Sequence, residues 1–136
     1  MTSPHILLVE NDVLVRKPLA EYLRDCGYKV VEALNTDEAV EVLTTGSAAI
    51  GIVLADVSSP GKIDGFGLAR WMRSNGIDAK IILAGTVQKA AAKAQDLCED
   101  GPLLSKPYDH SLLLNRIKSE VAARAQIGRA SCRERV

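Results

Sequence analysis

The sequence predicts a doubly wound α/β domain, a five-stranded parallel sheet with five helices on its two faces, and three observations carry that expectation. Short apolar runs alternate with stretches of helical periodicity along the chain, the order of a parallel sheet with crossover helices. The central run, from Ile50 to Ala55, is nearly continuously apolar, as a strand buried on both faces requires. The first and central runs end abruptly in polar groups, Glu10, Asn11 and Asp12 after one and Asp56 after the other. Ligands of such sheets gather at the carboxyl ends of the strands.

HILLV, at 5 to 9, is the first strand. Val15, Leu19, Tyr22 and Leu23 then recur at helical spacing, with Asp12 as N-cap and Gly27 as the natural stop. Pro18 lies beyond the first turn and has no backbone N–H, so it predicts a kink or a delayed helix start. YKVVEA, at 28 to 33, alternates and reads as a strand near a sheet edge. Asn35 with Glu38 three residues later resembles a capping box, opening a helix whose Val40 and Leu43 face the core and which Gly46 ends. The central strand delivers Asp56 at its tip, and Ser58, Ser59, Pro60, Gly61, Asp64 and Gly65 give a polar loop before a helix from about Phe66 to Asn75. On that helix Phe66, Trp71 and Met72 read as core and partial cover. AKIILAG, at 79 to 85, is the fourth strand, and an Ala-rich helix follows from about Val87 to Glu99. PLLS, at 102 to 105, is a fifth strand meeting Lys106 and Pro107, after which Asp109 caps a helix in which Leu113, Ile117 and Val121 share a face.

A chain of 136 residues, 47% hydrophobic and 25% charged, suits one domain with a buried core. Lys and Arg together number 17, as do Asp and Glu, so no basic field points to nucleic acid and no polybasic segment to a membrane. The start MTSPH lacks the apolar region of a signal peptide, and a cytoplasmic address is expected. Cys26, Cys98 and Cys132 are odd in number and show no CxxC pairing, which predicts reduced thiols rather than a disulfide framework or a zinc site. The segment 127–136, IGRASCRERV, has no apolar period and resembles the in-frame translation of a short-read sequencing adapter. It is expected to be non-native, with the domain at 1–126. Setting aside its three arginines and one glutamate leaves the rest mildly acidic, at about −2.

Mg²⁺ takes near-octahedral oxygen ligands and is typically held by one or two carboxylates with a phosphate. Glu10 and Asp56 can supply that pair, Asp56 can attack a phosphoryl group to give an acyl phosphate, and Lys106 at another strand tip can pair with a phosphoryl oxygen. Each residue alone has a blander reading, a turn aspartate or a solvated surface charge. Their conjunction on strands of one sheet edge outweighs it. His5 and His110 read as surface or packing residues.

ILLVEND, VLADVSSPGKIDG and LLSKPYD resemble the three signatures of the receiver domain of bacterial two-component response regulators, over residues 5 to about 125. The resemblance implies a flavodoxin-like sheet of order 2-1-3-4-5, with Asp56 as phosphoacceptor. Glu10, Asn11, Asp56 and the Ser58 carbonyl would be ligands of Mg²⁺, Lys106 the phosphoryl contact, and the peptide before Pro107 cis. It further implies a histidine kinase or histidine phosphotransfer protein as phosphodonor, and a protein target on the face of helix 4, strand 5 and helix 5. Such a domain is a signalling module rather than an enzyme.

The loop spacing fits the family pattern with one extra residue, between Pro60 and Asp64-Gly65, and three departures qualify the resemblance. The second acidic pocket position is Asn11, which offers an oxygen but no charge. Ala84 stands where strand 4 normally carries Thr or Ser, with Thr86 a candidate substitute, and Leu103 stands at the aromatic switch position. A degenerate receiver that binds partners without phosphorylation is the alternative. A haloacid dehalogenase-type hydrolase would need a second Asp where Ser58 stands, and a flavodoxin-type carrier would place its flavin phosphate against Glu10 and Asp12.

Overall fold

The computed structural model describes residues 5–46, 49–101 and 110–134. Its elements run β1 (His5–Val9), α1 (Val13–Asp25), β2 (Lys29–Ala33), α2 (Thr36–Thr45), β3 (Ile50–Asp56), α3 (Gly65–Ser74), β4 (Lys80–Ala84), α4 (Val87–Glu99) and α5 (His110–Glu134). The described strands form one parallel sheet of order β2-β1-β3-β4, which is the flavodoxin-like doubly wound arrangement. The expected fifth strand at 102 to 105, with Leu103, Lys106, Pro107 and Asp109, lies outside the described residues.

The continuous apolar run of β3 is explained by two cores. Leu54 packs with Ile6, Leu8 and the inner faces of α1, α4 and α5. Its neighbours Val53 and Ala55 point the other way, toward Leu7, Val9, Leu68 and Met72 beneath α2 and α3. Because successive strand side chains alternate in direction, β1 beyond His5 and β3 serve both cores and have no polar position until their tips. On α3, Met72 is buried and Trp71 partly so, whereas Phe66 is exposed. On α5, Leu113 and Ile117 are buried and Val121 packs against them as expected. Arg116 pairs with Glu21 at 2.8 Å and Arg124 with Asp12 at 2.9 Å, so α5 runs antiparallel to α1.

Local signals set most of the helix ends. Asp12 Oδ1 accepts the Leu14 amide at 3.0 Å and Asn35 Oδ1 the Glu38 amide at 2.8 Å. Glu38 returns its carboxylate to the amide of Leu34 at 2.7 Å, one residue earlier than in the standard capping box. Gly46 ends α2 at φ 61°, the left-handed geometry glycine adopts without steric penalty. Pro18 does not delay α1, which begins at Val13 and contains the proline.

The reading of the cysteines as thiols is corrected. Cys26 at the C-cap of α1 and Cys98 in the last turn of α4 form a disulfide, with Cα atoms 5.3 Å apart. A separation of 72 residues hides this pairing from any spacing rule, and only the packing of α4 beside α1 brings the two together. The backbone of α5 continues into the segment 127–136 as helix.

Candidate functional site

Strand register builds the site. Val9 is the partner of Ala55 and Asp56 the partner of Ala84. The tips of β1, β3 and β4 therefore end side by side, and Glu10, Asp56, Ala84 and Thr86 line one crevice of about 30 Å³, about the liquid volume of a water molecule. The order β2-β1-β3-β4 reverses between β1 and β3, where doubly wound sheets bind their ligands. A wider hollow of 360 Å³ beside β4 is lined by Lys80, Lys93, Asp96 and Asp100. It has no such convergence of strand tips.

Asp56 is partly exposed, and its carboxylate is oriented by its own loop. The Ser58 amide donates to Asp56 Oδ1 at 3.0 Å, while the Asp56 carbonyl accepts from the Ser59 hydroxyl at 2.6 Å and the Ser59 amide at 3.1 Å. Gly65 crosses close behind, where a Cβ would sit 2.5 Å from the Asp56 carbonyl oxygen. Asp64 then caps α3 by accepting the Gly67 amide at 2.8 Å.

The far side of the loop is held by Thr36, which is fully buried at the start of α2. Its amide donates to the Pro60 carbonyl at 2.9 Å, and its hydroxyl lies 3.1 Å from that oxygen and 2.5 Å from the Ile63 carbonyl. Gly61, at φ 132°, passes so close to Thr36 that only a residue without a side chain fits. The stretch from Pro60 to Ile63 is thus tied to the start of α2.

Glu10 sits half-buried, and its Oε2 accepts the Asp12 amide at 2.8 Å. Burial pushes its carboxyl above the ordinary value, and the charges of Asp56 and Asp12 push the same way against the Asp12 amide and Arg16. Asn11 is exposed between them. Arg124 clamps Asp12 with two hydrogen bonds, 3.1 and 2.9 Å long, and holds that carboxyl below its usual range. Ala84 is buried at the tip of β4. Thr86 reaches the crevice wall, but its hydroxyl accepts the Lys89 amide at 3.0 Å as the N-cap of α4.

Arg16 was missed in the sequence. It is buried, donates through Nη1 to the Glu10 carbonyl at 3.0 Å and through Nε to Glu32 at 2.9 Å, and so braces the β1 tip. The available signal was an arginine beside Val15 on the inner face of α1, with one glutamate on the neighbouring edge strand.

The donor set suits a hard divalent cation. Two carboxylates, Glu10 and Asp56, converge, and no group of three His, Cys, Asp or Glu side chains does so among the described residues. Mg²⁺ tolerates such a site because it keeps several waters. Among the described residues no helix is long and apolar enough to cross a membrane.

The response regulator receiver domain family matches residues 6–118. The chain is 32% identical over 117 residues to the probable transcriptional regulator ycf27 of Cyanidium caldarium, covering 85% of this chain and 45% of that protein. It is 33% identical over 121 residues to ycf29 of Porphyra purpurea, covering 86% and 56%. The chain thus spans about half the length of these relatives. Among solved structures, the response regulator TrrA of Thermotoga maritima in complex with Mg²⁺ and BeF is similar at 35% identity and TM-score 0.53, over 59% of this chain and 67% of that one. The receiver domain of the hybrid histidine kinase CckA is similar at 25% identity and TM-score 0.51, over 69% and 98%.

Proposed function

The chain belongs to the response regulator receiver domain family of two-component signalling systems, and from that membership we propose that it accepts a phosphoryl group on Asp56 and signals by altered protein binding. The donor is the phosphohistidine of a histidine kinase or histidine phosphotransfer protein. An Asp56 carboxylate oxygen forms the new bond to phosphorus as the bond from phosphorus to the histidine nitrogen breaks, leaving an acyl phosphate and a neutral donor imidazole once a proton is returned. The observation that carries the reading is the level register of Glu10 and Asp56 at the switch point of the sheet.

Glu10, Asp56, the Asn11 side-chain oxygen and the Ser58 carbonyl would hold Mg²⁺, and the similar Thermotoga maritima response regulator is a complex with Mg²⁺ and BeF. The ion would supply neutralisation of the charge that gathers on the transferring phosphoryl oxygens. The Ser58 amide keeps one Asp56 oxygen oriented, and Arg16 fixes the backbone that presents Glu10. By the family resemblance Lys106 would pair with a phosphoryl oxygen, with the peptide before Pro107 expected to be cis. A cytoplasmic address fits a donor of this kind. The output would pass through the surface of α4, the expected fifth strand and α5.

Incubation with acetyl phosphate and Mg²⁺, followed by intact-mass analysis, tests the assignment. One added phosphoryl group that Asp56→Ala abolishes is expected, and unchanged labelling of that variant would refute it. A second reading, a receiver that works without phosphorylation, is favoured by one observation. Ala84 brings no hydroxyl to the crevice, and the Thr86 hydroxyl is already engaged by Lys89. Absence of labelling together with an undiminished partner complex would select that reading.

A further inference from the structure

α4 links two places. Its first turn, with Val87 and Ala90, lines the Asp56 crevice, and its last turn carries Cys98, bonded to Cys26 of α1. The two ends are about 16 Å apart at the rise of an α-helix. Between them the buried face is small, with Ala91 and Ala94 at 0% exposure. Alanine buries little apolar area and interlocks weakly with a facing helix. The far end of α4 has ties that its first turns lack, where Tyr28 Oη donates to the Leu97 carbonyl at 2.6 Å beside the disulfide.

We propose that the Cys26–Cys98 pair is a redox-controlled tie between α1 and α4 that sets how far α4 responds at the Asp56 crevice. The tie itself rests on geometry alone, while its effect on signalling rests on the phosphoacceptor reading above. In the bonded state the far end of α4 is anchored and the helix is held against α1. Reduction by a protein or small-molecule dithiol leaves α4 held by its alanine face, Leu97 and the Tyr28 hydrogen bond. In that exchange a dithiol sulfur attacks one cysteine sulfur, the S–S bond breaks, and the second dithiol sulfur resolves the mixed disulfide. The reductant becomes the disulfide and its two protons pass to Cys26 and Cys98. Both sulfurs belong to buried residues, at 0% and 1% exposure, so attack waits on local opening of the α4 end. Reduction is therefore expected to accelerate in mild denaturant.

The test begins with a Cys132→Ser chain equilibrated in a glutathione redox buffer, quenched with acid, denatured and alkylated. No alkylation at an oxidising ratio of glutathione disulfide to glutathione and two additions after dithiothreitol are expected; two additions at the oxidising ratio would overturn the tie. Amide exchange over residues 87–98 is then compared in bonded and dithiothreitol-reduced protein, with and without beryllofluoride and Mg²⁺. Severalfold faster exchange after reduction is expected, with a larger beryllofluoride effect on the first turn of α4. A Cys26→Ala/Cys98→Ala chain should behave as reduced whatever the buffer. Equal exchange and an equal beryllofluoride effect in the two redox states would overturn the control of α4. If Asp56 takes no phosphoryl group yet reduction still loosens α4, the tie stands and the phosphoacceptor reading falls.

Discussion

Glu10 and Asp56 leave adjacent parallel strands at the same level, because their predecessors Val9 and Ala55 are register partners. Neighbouring strands lie about 4.8 Å apart, so two carboxylates meet in one crevice. Burial, and after it the charge of Asp56, disfavour the Glu10 carboxylate, and a divalent ion bound between the two would offset both effects.

Glu10→Gln should therefore act in opposite directions on stability and on binding. It removes a charge that burial disfavours, and the metal-free protein should become more stable. Mg²⁺ affinity should fall about tenfold or more, since a charged ligand is lost. Urea unfolding in chelator and a Mg²⁺ titration read the two effects, and a loss of both together would contradict this account.

Asn11→Asp should tighten Mg²⁺ binding. Two unit charges near 4 Å interact by about 4 kcal/mol at an effective dielectric near 20, and a divalent ion doubles that. Repulsion from Glu10 and Asp56 and the loss of water offset most of it, leaving about 1 to 3 kcal/mol, roughly fivefold to a hundredfold. Trp71 fluorescence or calorimetry measures the difference. Equal or weaker binding would mean that position 11 does not face the ion.

Glu32→Gln should destabilise the domain by about 1 to 2 kcal/mol at neutral pH. Burial pushes the Glu32 carboxyl up, but hydrogen bonds from Lys17, Arg16 and Arg24 outweigh it and hold the group below its ordinary value of 4.5. A depressed folded value means that the stability it contributes is complete above 4.5 and is lost as pH falls through the lower folded value. Unfolding curves of parent and variant should therefore converge on acidification and stay apart from pH 6 to 8.

Gly65→Ala should impair the site more than the fold. The new Cβ would meet the Asp56 carbonyl and the Val57 backbone, so the β3 tip must shift. A loss of about 1 to 3 kcal/mol is expected from the overpacking. Acetyl phosphate labelling at a temperature where the variant is fully folded should fall by more than twofold, and undiminished labelling would mean that the tip tolerates the shift.

Reduction of the Cys26–Cys98 bond should lower stability by about 4 kcal/mol, the chain-entropy value for a loop this long. Tm should drop by about 10 °C or more. Scanning calorimetry with and without dithiothreitol checks it, and an unchanged Tm would show that the reduced pair packs equally well.

The sequence by itself determined whatever depends on near neighbours. Alternation of apolar runs and helical periods was enough for the sheet class, and β4 and α4 fall within a residue of their expected ends, because strand burial and capping are read within about four residues. Asp12, Asn35 and Gly46 act as expected for that reason. The convergence of Glu10 and Asp56 was also legible, since parallel strands of one sheet must end on one edge. Tertiary structure alone decided the rest. Cys26 and Cys98 meet across 72 residues, Arg16 reaches from α1 to both the Glu10 carbonyl and Glu32, and Thr36 holds a loop more than twenty residues further along. None of these partners is coupled to its own local sequence, so no periodicity announces them. Which helix lies beside which is decided by the packing of whole faces, and side chains that meet only through that packing become visible only once the chain is folded.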